Sequence, residues 1–361
     1  MLRKNELVNL KNKHSDLKEE KPQFTNYLAP DPYPPTSITG ISFIDECLRR
    51  LGAISSFRLQ SVGRLVLPAL SRSPVLVKTE QMRDLEFHYS ERIISSKVIT
   101  YDNAELDTIE INHQENISPI YIIKFNGNGF LFEDNLPQLM DDAYRLKANV
   151  IAFNYRGVGK SLKVPESIND LVTDGIAEVQ QILDRKVLPK HIILDGLSLG
   201  GGVATLVAKY FHDQGIKINL FNDRSFSSIS SAGAHMIVRR ELSPIAEYSL
   251  ESTASSLVYF SGWQINAARA YATIPSANKA YMYVTDDMSL KGNQGDLVIP
   301  EKASLHESLK NSPAKQGEFY KMTCMLMRGG HTSARQDLHH VTDEELNGQK
   351  VFDGFVARVT R

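Results

Sequence analysis

Polar stretches and short apolar runs alternate along the chain, and the period of that alternation changes with position. Residues 1–35 are polar and then proline-rich (APDPYPPTS). Such a composition cannot bury enough apolar surface to offset chain entropy, so a tail or surface-hugging arm is expected there. Between residues 41 and 54 the apolar positions are Ile44, Cys47, Leu48, Leu51 and Ile54, with Asp45, Glu46, Arg49 and Arg50 between them. That spacing predicts a helix with one apolar face, packed on the rest of the protein or resting on a membrane surface. From about Arg92 the runs shorten to a β-like period: IISSKVIT, then LDTIEIN after the polar YDNAE, then IYIIKF. Two antiparallel strands leading into a buried one are expected.

Beyond this point strand and helix patterns alternate: NVIAFNY, a helix near residues 168–183, HIILD, a helix at about 200–211, and KINLFN. This order argues for an α/β fold, a largely parallel sheet with helices on both faces. Residues 227–279 are mostly helical in character, long enough for a small insertion but short for an independent domain. AYMYV and YKMTCMLM read as the closing strands, followed by Gly329, Gly330, His331 and a polar C-terminal helix or tail. The expected organisation is a tail at 1–35, a helical extension at 36–91 and a main domain at 92–361 carrying the insertion.

Composition narrows the function classes. At 361 residues, with 42% hydrophobic and 23% charged side chains, the chain suits a folded protein. Lys plus Arg (41) nearly cancels Asp plus Glu (42), leaving no global field to hold a phosphate backbone or an anionic bilayer. No nucleic-acid partner is expected. Cys47 and Cys324 form no CxxC pair, which argues against a disulfide framework or a zinc cluster. The charged amino terminus lacks a following apolar region, so no ordinary signal peptide is expected. The most apolar window, residues 65–77, is interrupted by Pro68, Arg72 and Pro74 and is too short to span a bilayer. A soluble protein follows.

The candidate chemistry centres on Gly196-Leu197-Ser198-Leu199-Gly200, a GxSxG pattern between an apolar run and a helical one. A serine on a sharp strand-to-helix turn takes a strained backbone, and side chains two positions either side would collide. Glycine at 196 and 200 removes that crowding. The helix amino terminus beneath the serine supplies N–H groups for a developing oxyanion, which makes the Leu199 amide the first candidate donor. An activated serine needs a base and a group that orients the base. Among His212, His235, His306, His331, His339 and His340, only His331 follows an apolar strand through a Gly-Gly turn. His339 and His340 are expected to be solvated. Asp296, in GDLVIPEKASL ahead of a helix expected near Pro300, is the candidate acid, with Asp286, Asp287 and Asp223 as alternatives. The loop after IYIIKF, Asn126-Gly127-Asn128-Gly129, offers the Asn128 amide as the second oxyanion donor, because two glycines let the backbone turn inward.

One motif fails its own test. NYRGVGKS ends like a phosphate-binding loop, but that pattern demands glycine five residues before Gly159, where Asn154 stands. An Arg-Gly-x-Gly turn at the rim of a hydrolase site is the better reading.

With these motifs together, residues 92–340 resemble α/β-hydrolases. NGNG, NYRGVGKS, GLSLGG and NDRSFSS are similar, more narrowly, to the SidB-like group of Legionella secreted effectors and the related chlamydial CHLPS hydrolases. The narrower resemblance implies a virulence role, with delivery into a host cell by a specialised secretion system. The expected activity is hydrolysis of a small-molecule or lipid carboxylic ester through an acyl-serine, with no cofactor and no metal. Thioester cleavage or acyl transfer would use the same residues. A catalytically silent binding or scaffold protein is the rival from another class.

Overall fold

A computed structural model describes residues 93–113, 118–237, 262–327 and 329–361. The expected tail, the 41–54 helix, the 65–77 window and Cys47 lie outside these residues, as does the middle of the insertion. Ten strands, β1 (Ile93–Ile99), β2 (Glu105–Ile111), β3 (Tyr121–Phe125), β4 (Asn149–Phe153), β5 (Ile192–Leu197), β6 (Asn219–Asp223), β7 (Lys279–Val284), β8 (Glu318–Cys324), β9 (Leu338–His340) and β10 (Asp343–Asn347), form one sheet. Their spatial order is β1-β2-β4-β3-β5-β6-β7-β8-β9-β10. The six from β4 to β8 run parallel, and antiparallel pairs close both sides.

The central strands read as continuous apolar runs because both faces are covered. Ile123, Ile151, Leu194 and Leu220 enter one core; their neighbours Ile122, Val150, Ile193 and Phe221 enter the other. The first core is filled from helices α2 (Ile168–Asp184), α3 (Leu199–Asp213) and α5 (Ala267–Thr273). The second is filled from α1 (Leu136–Arg145) and α8 (Gly348–Val359). Between them in sequence lie α4 (Ile229–Ile237), α6 (Leu305–Leu309) and α7 (Pro313–Gln316). α4 and α5 are the described parts of the expected insertion.

From β3 the chain crosses to β4 on one side, then returns to β5 on the other. The β3 and β5 carboxyl ends therefore flank a switch point, where open α/β sheets bind ligands. The NGNG loop leaves β3 and the GxSxG turn leaves β5. Phe125 and Gly196 are register partners, so both turns start from one edge.

The carboxyl terminus differs from expectation. β8 ends at Cys324, so Met325, Leu326 and Met327 lie beyond it, and two further strands precede α8. His339 and His340 are on β9, half-buried and paired to β8 through Thr323 and Met322. Their polar sequence hid the strands because β9 and the edge strand β10 are held by backbone pairing and show no alternating apolar face.

Candidate active site

Ser198 sits between β5 and α3 with φ 55° and ψ −118°, a left-handed backbone that a serine adopts only under tight constraint. The constraint is packing. A Cβ on Gly196 would lie 2.4 Å from the Gly200 carbonyl oxygen, and one on Gly200 would lie 2.1 Å from that of Phe125. The Ser198 N–H donates to the Asp223 carbonyl at the end of β6 (2.9 Å), fastening the turn to the next strand. Leu199 is the first residue of α3, so its N–H lies ahead of the helix's own hydrogen-bond ladder.

His331 and Asp296 arrive from loops at the same edge. His331 Nε2 is 2.9 Å from Ser198 Oγ, and His331 Nδ1 is 3.0 Å from Asp296 Oδ2. An ionised carboxylate only accepts, so Nδ1 carries the proton and Nε2 accepts from the hydroxyl. The three residues are 6–8% exposed, which limits competition from water. Asp296 Oδ1 also accepts from the Val298 and Ile299 amides (2.9 and 2.8 Å), which fixes the carboxylate plane.

The alternative acids are occupied elsewhere. Asp286 accepts from the Glu301 and Asp296 amides, framing the acid loop rather than touching the imidazole. Burial pushes its carboxyl up. Asp287 is bound to Ser289 at the surface, and Asp223 is paired with Arg224 and Arg335. His306 stacks on Tyr283 and bonds the Tyr281 hydroxyl. Asn128 is exposed on the loop after β3. Asn126 Nδ2 pins the start of that loop to the Phe153 carbonyl (3.0 Å), and Gly129 turns it at φ 82°.

The NYRGVGKS segment is committed to structure. Arg156 is buried against Asp174 and Asp102, tying α2 to the β1–β2 turn, so its guanidinium is not a rim group. Ser161 Oγ donates to the Asn154 carbonyl and accepts from the Asp107 amide, leaving it no role on a phosphate-bound metal. Among the described residues no group of three or more His, Cys, Asp or Glu is arranged to hold a metal, and no helix is long and apolar enough to cross a membrane.

Sequence reasoning missed a line of buried charge beneath the site. Arg224 Nη1 donates to the Gly330, His331 and Ser333 carbonyls (2.6, 3.2 and 2.7 Å), gripping the histidine loop. Arg335 bridges Asp223 and Asp195, and Lys124 continues from Asp195 to Asp142. Burial alone would raise the Asp195 carboxyl, but the Arg335 and Lys124 charges outweigh it and hold it at about 2. Its signal was present: Lys124 and Asp195 are lone charges inside apolar strand runs and are direct register partners.

A family model described as Chlamydia CHLPS protein (DUF818) matches residues 55–328. Two crystal structures of the Pyrococcus furiosus esterase Pf2001 superpose on the chain with a TM-score of 0.50. One is 19% identical over 74% of this chain and 91% of that one; the other is 15% identical over 76% and 95%. This likeness shows the α/β-hydrolase fold.

Proposed function

Because the chain belongs to the Chlamydia CHLPS protein family (DUF818) and has the α/β-hydrolase fold, we propose that it is a serine hydrolase of carboxylic esters. The reading is carried by the continuous Asp296–His331–Ser198 hydrogen-bond line at a strained strand-to-helix turn. Ser198 Oγ attacks the ester carbonyl while His331 Nε2 takes its proton. Asp296 holds the imidazole in the required tautomer and stabilises the imidazolium. The Leu199 and Asn128 amides receive the oxyanion. Collapse of the tetrahedral species expels the alcohol, which leaves with the proton from His331. Water, deprotonated by the same nitrogen, then releases the acid and restores the serine.

A lipid-like ester is the substrate class we favour. Met288, Leu297, Met325, Leu326 and Met327 are exposed, Met327 by 89%. All five ride on the two loops that carry Asp296 and His331. Leu297 lies over Gly329, Met325 over Gly292 and Met288 over Gly295. Clustered exposed apolar side chains mark surfaces that meet other apolar groups, and these would receive an acyl chain or touch a lipid surface.

The test is fluorophosphonate labelling of the full chain beside Ser198→Ala, followed by turnover of p-nitrophenyl esters of short and long acids. Labelling should vanish in the variant, and long-chain esters should be preferred. Labelling that survives Ser198→Ala rejects the nucleophile, and a wild-type protein that neither labels nor turns over ester is a binding protein instead.

A further inference from the structure

We propose that Arg224 is the positioning residue that locks the catalytic histidine onto the nucleophile turn, a role that rests on the ester-hydrolase reading of Ser198 and His331. The dipeptide Asp223-Arg224, at the end of β6, holds both halves of the site. Through its backbone, the Asp223 carbonyl accepts the Ser198 N–H at 2.9 Å. Through its side chain, Arg224 Nη1 reaches the carbonyls of Gly330, His331 and Ser333, on either side of the imidazole as well as on its own residue. The Asp223 carboxylate aims the guanidinium by accepting from Nε (2.6 Å) and Nη2 (3.1 Å). Nucleophile and base, 133 residues apart in sequence, are thus referred to one point in the fold.

The backbone is bent to make this possible. Arg224 has φ 48°, a left-handed conformation that a long side chain rarely takes. Its N–H donates to the Met282 carbonyl of β7 (2.9 Å), which fixes the bend. The side chain is 3% exposed, so the contacts to carbonyls are not traded with bulk water. A guanidinium suits the task because its donors leave a rigid planar fork in several directions at once. A lysine ammonium is a single point on a flexible stem. Placed where Nη1 sits it could reach the same carbonyls, but it could not also meet both Asp223 oxygens, so nothing would aim it. The loop begins with Gly329 at φ 74° and is also tied to the acid loop by the Gly330 N–H to the Gly295 carbonyl (2.8 Å), while Arg224 is the charged group that gathers its carbonyls from Gly330 to Ser333.

Arg224→Ala leaves Asp223 with a cation, because Arg335 Nε stays 2.9 Å from its Oδ2. The fold should therefore survive while the histidine loop loosens. A misplacement of about 1 Å costs on the order of 10²-fold in rate. Ester turnover by the full-length Arg224→Ala protein should accordingly fall about 100-fold in kcat, with KM within about twofold, since Arg224 grips the loop at Gly330, His331 and Ser333 and not at the apolar residues 325–327 assigned to the acyl chain. Millimolar guanidinium, filling the vacated space, should restore about tenfold, with no effect on wild type or Ser198→Ala. Arg224→Lys keeps the charge and should remain near the Ala level. A folded Arg224→Ala protein with wild-type kcat overturns the proposal, as does full activity in Arg224→Lys. If the alanine variant does not fold, Arg224→Lys is judged on the same kcat and KM criteria. Failure of the wild type to show Ser198-dependent labelling overturns the hydrolase reading itself; a labelled wild type with an indifferent Arg224 overturns only this role.

Discussion

At the scale of single residues, the site is made by backbone positions as much as by side chains. Ser198 is held left-handed because Gly196 and Gly200 let α3 approach β5 and β3 more closely than any Cβ would allow. Asp296 is held by the Val298 and Ile299 amides on one oxygen, leaving the other for His331. Asp286 stands nearby in sequence yet supports the loop backbone only. The two aspartates should therefore separate cleanly. Asp296→Asn can present an amide N–H to Nδ1 and stabilise the wrong tautomer, so kcat should fall by about 10³–10⁴-fold with stability little changed. Asp286→Asn should leave kcat within about tenfold and act mainly on stability. Ester kinetics beside thermal melts of both variants decide it; equal losses of kcat would reject Asp296 as the group that orients the imidazole.

At the scale of elements, the central strands were legible as apolar runs buried on both faces, and α2 and α3 because each buries one face, which writes a helical period into the sequence; α1, after β3, was not read. The serine and histidine loops were legible because glycine marks their turns: Gly196 and Gly200 around Ser198, Gly329 and Gly330 before His331. β9 and β10 were not legible, since LHHVTDEELN buries little and pairs through its backbone. Arg224 was not legible for a different reason. NDRSFSS stood out as a motif, but a charged residue after a strand is ordinarily solvated, and only three-dimensional folding brings residues 330–333 to it.

The α2–β2 contact carries a further consequence. Glu178 on α2 is buried against β2, where it accepts from Thr108 Oγ1 (2.7 Å) and Gln181 Nε2 (2.5 Å). Burial outweighs both hydrogen bonds and pushes its carboxyl up to about 8 from an ordinary 4.5. Between those values the folded chain keeps a proton that the unfolded chain has released. Its stabilising contribution is therefore complete below pH 4.5 and is lost as pH rises through about 8. Glu178→Gln, which cannot ionise, should flatten this dependence: thermal melts of the variant should lose less than wild type between pH 5 and 9, the difference reaching a few kcal/mol on the order of the shift. Parallel pH profiles for the two proteins would show that Glu178 does not carry the effect.

For the molecule as a whole, the site is tied to the opposite face of the sheet by buried charge. From the Arg224 grip on the histidine loop, ion pairs run through Asp223, Arg335, Asp195 and Lys124 to Asp142, and then through Arg145 to Asp353 on α8. From Asp223 to Asp142 these side chains are at most 13% exposed, against 26% and 32% for Arg145 and Asp353 at the far end, and burying the former is tolerable only if they stay paired and dry. α8 supplies the dryness. Phe352 lies under the Arg335 guanidinium at 4.3 Å and near Lys124 Nζ at 4.9 Å, and it meets Phe221 of β6 edge to face at 5.1 Å. Phe352→Ala would open a cavity beside the ion pairs, at a cost of about 3–5 kcal/mol. For a domain of this size that corresponds to a fall in Tm of roughly 10 °C, at about 2–4 °C per kcal/mol. The remaining folded protein should retain ester turnover within about threefold of wild type, because the Phe352 ring packs on Arg335, Lys124 and Phe221, which take no part in the reaction. A large loss of kcat at unchanged Tm would mean instead that the charge line, rather than the Arg224 fork alone, sets the position of the histidine.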